Sequence, residues 1–228
     1  MTLAAESLIE TGIYTPKQAA RYARLRSQTL SRWVHGTSGG EPALRAELQD
    51  DPDRFVTFVD FVQAMAIRAI RREKEIPLQT IRNVVDKAWH DYNVKYPFAV
   101  RHTTYRFGDD IVLRLSDDRI VQLTGEYKDH QLINEVVEEY AEDLYYDPET
   151  GLACRYEPMA YRGRTIVLDP KVKFGQPTVQ PCGYAVDVLV NARLSEGSVA
   201  RAASAYGLHM DDIRIAQRYH DWLLGVAA

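Results

Sequence analysis

The sequence predicts a mainly α-helical fold with a small β component, an α+β protein, and three observations predict it. Apolar residues recur at helical spacing over much of 16–34, 55–93 and 187–223. Short apolar runs between 103 and 123 alternate with Gly/Asp and Ser/Asp turns, which is typical of a small β meander. Hydrophobic residues make up 46% of the 228 residues, enough for a sizeable core.

Charge divides the chain unevenly, although the net charge is only −4. Residues 1–97 contain 14 Lys/Arg and 12 Asp/Glu, whereas 98–228 contains 14 Lys/Arg and 20 Asp/Glu. The change in pattern after Pro97 predicts three parts: a helical domain at 1–97, a β meander with an acidic connection at 98–165, and a helical domain at 166–228. The chain lacks an export signal at its start and an apolar run of the ~20 residues that span a bilayer, so we expect a cytoplasmic protein.

The N-terminal elements follow from local signals. Thr15 and Pro16 predict a helix start, as N-cap and first helical residue. Small apolar residues at Ala20 and Ala23 allow a second helix to approach, and an isolated Leu25 marks the turn between the two. Ser27 predicts the cap of the second helix, whose inner face carries Leu30, Trp33 and Val34. Residues 37–53 then form a polar loop or wing.

This helix–turn–helix carries a concentrated basic stretch. Residues 15–36 contain five Lys/Arg and no acid, which favours contact with a polyanion. An ordinary helical hairpin in a bundle is the alternative. The DNA-binding interpretation assigns base readout to Arg26, Ser27, Gln28, Ser31 and Arg32, and phosphate contact to Thr15, Lys17, Arg21 and Arg24.

Two stretches of this region resemble a known family. Residues 14–21 (YTPKQAAR) and 25–30 (LRSQTL) resemble the MerR-type winged helix–turn–helix, and the two helices predicted at Phe55–Glu73 and Leu78–Asn93 resemble its second helical pair. Arg24 stands where such proteins usually have glycine, so the turn is expected to be strained or to differ.

The middle of the chain is predicted to contain strands at Thr103–Phe107, Ile111–Leu115 and Ile120–Leu123. A helix is predicted over Gln131–Leu144, with partial strand as the alternative, and a further strand at Gly163–Leu168. Residues 126–149 contain nine acids against one lysine. These acids either form a solvated helix face or contact a basic partner; the residues assigned to that partner are Glu138, Glu139, Tyr140, Glu142, Asp143 and Tyr145.

A second helix–turn–helix is predicted near the C-terminus. A helix at Asp187–Leu194 precedes one capped by Ser198, with Val199, Ala202, Ala203 and Tyr206 inward, that ends at Gly207. Asp211 and Asp212 open the last helix, whose inner face carries Ile213, Ala216, Tyr219 and Leu223. Because acids at a helix start repel phosphate, this pair is predicted to be structural or dimerising rather than DNA-binding.

The C-terminal motifs resemble the family of unknown function numbered 433. They are residues 167–170 (VLDP), 174–179 (FGQPTV) and the stretch from Glu196 to Leu208, whereas residues 182–185 (CGYA) depart from that family's usual sequence. A MerR-like start joined to this module is similar to VapB-type antitoxins. The resemblance implies a homodimer that binds operator DNA, represses its own operon and neutralises a PIN-type ribonuclease toxin.

No enzyme, cofactor or metal site is predicted. None of the six histidines forms a His-x-x-x-His pair, the glycines lack a phosphate-binding fingerprint, and Cys182 has no evident base beside it. Two other functions stay open: a MerR-like regulator that responds to a small molecule through residues 98–228, and an interaction module whose helix pairs are only scaffold.

Overall fold

The computed structural model describes residues 6–37, 39–46, 48, 51–73, 77–101, 104–107, 110–114, 120–122 and 143–225. The chain divides into two compact units, 1–154 and 155–228. Helices and antiparallel strands occur in both, so the predicted α+β class is confirmed. The division between the units falls inside the segment that the sequence predicts as the connection, 98–165.

The N-terminal unit begins with a helical region closed by a two-stranded sheet. Strand β1 (Gly12–Tyr14) pairs antiparallel with β2 (Val56–Thr57), with Gly12 opposite Thr57. Because residues 56 and 57 form β2, the helix predicted to start at Phe55 starts at Phe58, and that predicted start is wrong. The elements are α1 (Glu6–Ile9), β1 (Gly12–Tyr14), α2 (Pro16–Tyr22), α3 (Ser27–His35), β2 (Val56–Thr57), α4 (Phe58–Glu73) and α5 (Leu78–Tyr92).

Helix α4 forms the core of this unit. Every residue from 58 to 67 is at most 5% exposed, so the first ten residues of this helix are buried on all sides. The ring of Tyr14 lies 5.6 Å from that of Phe61, and Phe58 lies 5.8 Å from Phe61. At its start the Asp60 amide donates to the Thr57 hydroxyl at 3.0 Å, which fixes the junction with β2.

The predicted meander is confirmed as β3 (Thr104–Phe107), β4 (Asp110–Arg114) and β5 (Ile120–Gln122), antiparallel in that order. Most of the helix predicted at Gln131–Leu144 lies outside the described residues. Its last residue instead begins strand β6 (Leu144–Tyr146).

The C-terminal unit packs three helices on antiparallel strands. Strands β7 to β10 follow one another across the sheet, of which the sequence predicts only β8. None of the described helices is long and apolar enough to cross a membrane. The elements are β7 (Ala153–Tyr161), β8 (Arg164–Leu168), β9 (Thr178–Gln180), β10 (Tyr184–Ala185), α6 (Val186–Glu196), α7 (Val199–Tyr206) and α8 (Met210–Leu224).

The caps of these helices are partly as predicted. Ser198 accepts a hydrogen bond from the Arg201 amide at 3.2 Å, and Gly207 ends α7 in the left-handed conformation. Tyr206 is 40% exposed, so its predicted inward position is wrong. The start predicted for the last helix at Asp211 is also wrong by one residue, because His209 caps α8 and accepts from the Asp211 amide at 3.2 Å.

Candidate nucleic-acid interface

Thr15 caps the start of α2, as predicted, and the structure shows that the cap is reciprocal with Gln18. The Thr15 hydroxyl accepts from the Gln18 amide at 3.3 Å, and the Thr15 amide donates to Gln18 Oε1 at 3.0 Å. Pro16 occupies the first helical position. The same hydroxyl also donates to Gln18 Oε1, so the hydrogen bonds of Thr15 serve the cap.

The turn between α2 and α3 adopts the conformation that glycine favours. Arg24 has φ of 53°, in the left-handed region, and donates its amide to the Arg21 carbonyl at 3.1 Å. The Leu25 amide donates to the Ala20 carbonyl at 2.8 Å, which completes a Schellman motif. The turn therefore forms as it would with glycine, and the β carbon of the arginine makes it strained.

Helix α3 divides into a buried face and an exposed face. Leu30, Trp33 and Val34 are at most 3% exposed, as predicted. Its N-cap is Arg26, whose side chain makes no capping bond, and Ser27 is the first helical residue; the prediction that Ser27 caps this helix is wrong. The exposed face therefore begins with side chains that are not used to hold the helix.

The structure brings the predicted DNA-binding residues onto one helix–turn–helix, with different exposure. Half-buried positions are Arg21, Arg24 and Ser31. Solvent-exposed positions are Thr15, Lys17, Arg26, Ser27, Gln28 and Arg32.

Arg54 is a residue of this surface that sequence reasoning missed. It is exposed, and its Nη1 lies 3.3 Å from Ser31 Oγ on α3. The Asp51 side chain holds the turn before it by accepting from the Phe55 amide at 2.8 Å. No local pattern links Arg54 to α3, because the pairing of β1 with β2 brings the two together.

The loop after α3 supports that helix from behind. The amides of Ala43 and Leu44 both donate to the Trp33 carbonyl, at 2.7 and 3.0 Å. Arg82 of α5 donates to the carbonyls of Glu41 and Pro42. The first two bonds satisfy the Trp33 carbonyl in the last turn of α3, and those of Arg82 hold the loop predicted as a loop or wing.

A polar cavity of about 450 Å³ lies beside this loop, lined by Glu41, Arg45, Arg82 and Asp86 among others. Its arginines are engaged: Arg45 Nε lies 2.9 Å from Asp86 Oδ1, and Arg82 donates to the carbonyls of Glu41 and Pro42. Within the described ranges no three His, Cys, Asp or Glu side chains cluster as metal ligands. Burial raises the pKa of the Cys182 thiol, which disfavours the thiolate.

The predicted partner-binding residues fall mostly in a part of the chain that the structure does not describe. Glu138, Glu139, Tyr140 and Glu142 lie outside the described residues. Tyr145 is 52% exposed on β6, and Asp143 is half-buried just before it.

Fold and geometry define an α+β protein whose N-terminal unit presents a helix–turn–helix with a cationic outer face. The chain is 26% identical over 239 aligned residues to a protein of Mycobacterium tuberculosis (strain H37Rv) named "Putative antitoxin VapB45"; the alignment covers 92% of this chain and 95% of that protein. The fold is similar to the crystal structure of Rv2018 from Mycobacterium tuberculosis, with a TM-score of 0.58, 19% identity and coverage of 91% and 98% of the two chains. No family model matches the chain.

Proposed function

We propose that this protein is the antitoxin of a type II toxin–antitoxin system. In this proposal it binds operator DNA through α2 and α3, represses its own operon and neutralises a PIN-type ribonuclease in the cytoplasm. The observation that carries the DNA-binding part is the exposed face of α3, where Arg26, Gln28 and Arg32 project from a helix braced by buried Leu30 and Trp33. The similarity to a protein named as an antitoxin supports the toxin-directed part.

The DNA contact divides into two kinds. Arginine pairs with guanine edges and glutamine with adenine edges in the major groove, so Arg26, Gln28 and Arg32 read bases. Lys17 lies exposed on α2, the bracing helix, which crosses the backbone in this motif and so contacts phosphate. A homodimer places two such units on half-sites about 34–36 Å apart.

Binding to matched and scrambled duplexes tests the division. The matched duplex is the region upstream of the protein's own coding sequence. We expect Arg32→Ala to weaken binding by about 1–3 kcal/mol on the matched duplex and little on the scrambled one. Lys17→Ala should weaken both equally and reduce the salt slope by about one. Equal losses on both duplexes for both variants reject the assignment of Arg32 as a base reader.

Co-expression tests the toxin-directed part separately. The protein is co-expressed with the product of the adjacent reading frame, a candidate PIN-type ribonuclease, and growth and co-purification are measured. Wild type and Arg32→Ala should both restore growth, because the proposal assigns the toxin to the acidic segment around 126–149 and not to α3. Failure of both to bind or neutralise the nuclease contradicts the antitoxin role and leaves the DNA result untouched.

A regulator that responds to a small molecule is the second candidate, and the cavity of about 450 Å³ is the observation that favours it. Its arginines already bind Asp86 and backbone carbonyls, which leaves few groups to recognise a ligand. Thermal stabilisation by a metabolite, with release from DNA, would support this candidate instead.

A further inference from the structure

The C-terminal unit repeats the turn of the N-terminal helix–turn–helix. The Leu208 amide donates to the Ala203 carbonyl at 2.8 Å, as Leu25 does to Ala20, and Gly207 has φ of 63° where Arg24 has 53°. Helix α8 therefore stands to α7 as α3 stands to α2. In a helix–turn–helix this is the position of the helix that enters the major groove.

Most of the face of α8 that corresponds to the reading face of α3 is buried. Counting from the shared turn, Gln28 corresponds to Asp211 and Arg32 to Ile215; Asp211 is 7% exposed and Ile215 is fully buried. Arg26 corresponds to His209, whose side chain is 59% exposed. Helix α8 therefore does not repeat the polar reading face proposed for α3.

The acids at the start of α8 are buried, whereas their place at a helix start suggests that they face solvent. Arg164 Nε lies 2.6 Å from Asp212 Oδ1, and Arg214 Nη1 lies 2.7 Å from Asp211 Oδ1. Arg162 approaches the same Asp211 oxygen at 3.9 Å. Both carboxylates are thus buried and paired with arginines, and neither presents an unpaired negative charge at the start of α8.

The arginines outnumber the acids they cover, and they leave charge at the surface. The groups that face this region are Arg162 and Arg164 from the β7–β8 hairpin and His209, Asp211, Asp212, Arg214 and Arg218 from α8 or its cap. The Arg162 side chain is 63% exposed, and the guanidinium of Arg218 lies 4.1 Å from the Tyr161 ring centroid. Asp221 lies one helical turn beyond Arg218, where Gln217 donates to it.

The tip of the β7–β8 hairpin places an arginine in a conformation that this residue does not favour. Tyr161 pairs with Arg164, which leaves Arg162 and Gly163 as a two-residue loop with φ of 49° and 73°. Such a loop prefers Asn-Gly, and a long arginine at the first position is conformationally unfavourable. A strained residue that projects an exposed charge points to a role in binding.

We propose that Arg162 at the tip of the β7–β8 hairpin, together with Arg218 of α8, forms a second binding surface that contacts the phosphate backbone of duplex DNA without reading sequence. Guanidinium groups bind phosphate oxygens in bidentate fashion, and the Tyr161 ring holds that of Arg218 in place. The surface adds affinity to the DNA contact proposed for α2 and α3.

The test measures binding of the full chain to a scrambled duplex across a salt series. The variant Arg162→Asn/Arg218→Gln removes two charges and gives the hairpin its preferred Asn-Gly loop. We expect the slope of log affinity against log salt to fall by about 1.8, that is about 0.9 for each phosphate that the variant no longer neutralises. Arg162→Asn alone should not lower the melting temperature, so weaker binding and a damaged fold are told apart.

Three matched variants serve as controls. Arg162→Lys/Arg218→Lys should keep most of the slope, because the charges remain. Lys171→Ala removes an exposed charge beyond the far end of β8, about 13 Å of strand from Arg164, and should change the slope little. Lys17→Ala reports on the N-terminal contact independently.

The outcomes distinguish the two surfaces. A wild-type slope in the Asn/Gln variant overturns this inference, and does so whether or not Lys17→Ala weakens binding. A reduced slope in the Asn/Gln variant with none in Lys17→Ala keeps the inference and removes the proposed α2 contact. Tighter binding of an RNA duplex than of DNA at equal salt overturns the choice of DNA.

Discussion

At the scale of single residues, two backbone positions with positive φ bound helix α3 and fix how the chain enters and leaves it. Arg24 and Gly36 both have positive φ, one at each end of that helix. A side chain is tolerated at position 24, where the backbone is in the left-handed helical region. At position 36 the backbone is in a region that suits only glycine, and a β carbon would meet the chain.

Replacing Arg24 by glycine is expected to stabilise the protein. Glycine adopts φ of 53° without the steric penalty of a β carbon, so the free energy of unfolding should rise by about 0.5–1 kcal/mol. Chemical denaturation measures it. Arg24→Ala is the matched control, because it removes the same side chain and keeps the strain; a gain of equal size in that variant would show that the backbone is not the cause.

Replacing Gly36 by alanine is expected to destabilise the region behind α3. Its φ of 73° and ψ of −163° suit glycine alone, and a β carbon would lie 2.8 Å from the Gly40 carbonyl oxygen. We expect a loss of about 1–3 kcal/mol in the free energy of unfolding. Gly39→Ala is the control, since a β carbon there meets nothing within 4 Å. Similar effects of the two substitutions would contradict this account.

At the scale of elements, the sequence predicts those that local signals define. Thr15 and Pro16 fix the start of α2 and Ser198 fixes that of α7, and Gly/Asp and Ser/Asp residues in the sequence separate β3, β4 and β5. Strands β7, β9 and β10 escape prediction because their formation depends on pairing with distant partners, and Pro158 interrupts the pattern of β7. Local signals also cannot show Arg54 beside α3.

The start of α8 shows the same limit in electrostatic terms. The sequence correctly places Asp211 and Asp212 near a helix N-terminus, but their burial depends on the β7–β8 hairpin, which supplies Arg164 and Arg162. Sequence spacing indicates the helix and cannot indicate the ion pairs. Ion pairs therefore connect the β7–β8 hairpin to the start of α8.

The pairing of Arg214 with Asp211 predicts that the free energy of unfolding depends on pH. The hydrogen bond from Arg214 holds the pKa of Asp211 below its ordinary value. A lowered pKa means that ionised Asp211 stabilises the fold above the unfolded-state pKa of about 3.9, and that this contribution is lost as pH falls through the folded-state pKa. The difference in free energy of unfolding between wild type and Asp211→Asn should therefore shrink between about pH 6 and about pH 3. Arg214→Gln should remove most of the difference, and a difference that grows on acidification would contradict the lowered pKa.

At the scale of the whole molecule, negative charge is concentrated in one segment. Residues 98–154 contain 5 Lys/Arg against 13 Asp/Glu, whereas 155–228 contains 9 against 7. A chain of net charge −4 can therefore present a basic surface on each of its two units and keep most of its excess acid in residues 98–154, the last part of the first unit. That distribution suits a protein proposed to bind DNA and a basic nuclease rim through different residues.

The proposed function depends above all on the outer face of α3 entering the groove of operator DNA. The most direct measurement places a photo-crosslinking amino acid at Gln28 and, in a second protein, at Gln176, an exposed position beyond the far end of β8. On irradiation with labelled matched duplex, the account predicts a protein–DNA crosslink from position 28 and little from position 176. Excess unlabelled matched duplex should abolish the crosslink from position 28, and the same excess of scrambled duplex should not. Equal crosslinking from the two positions, or none from position 28 under conditions where the protein binds, would contradict the account.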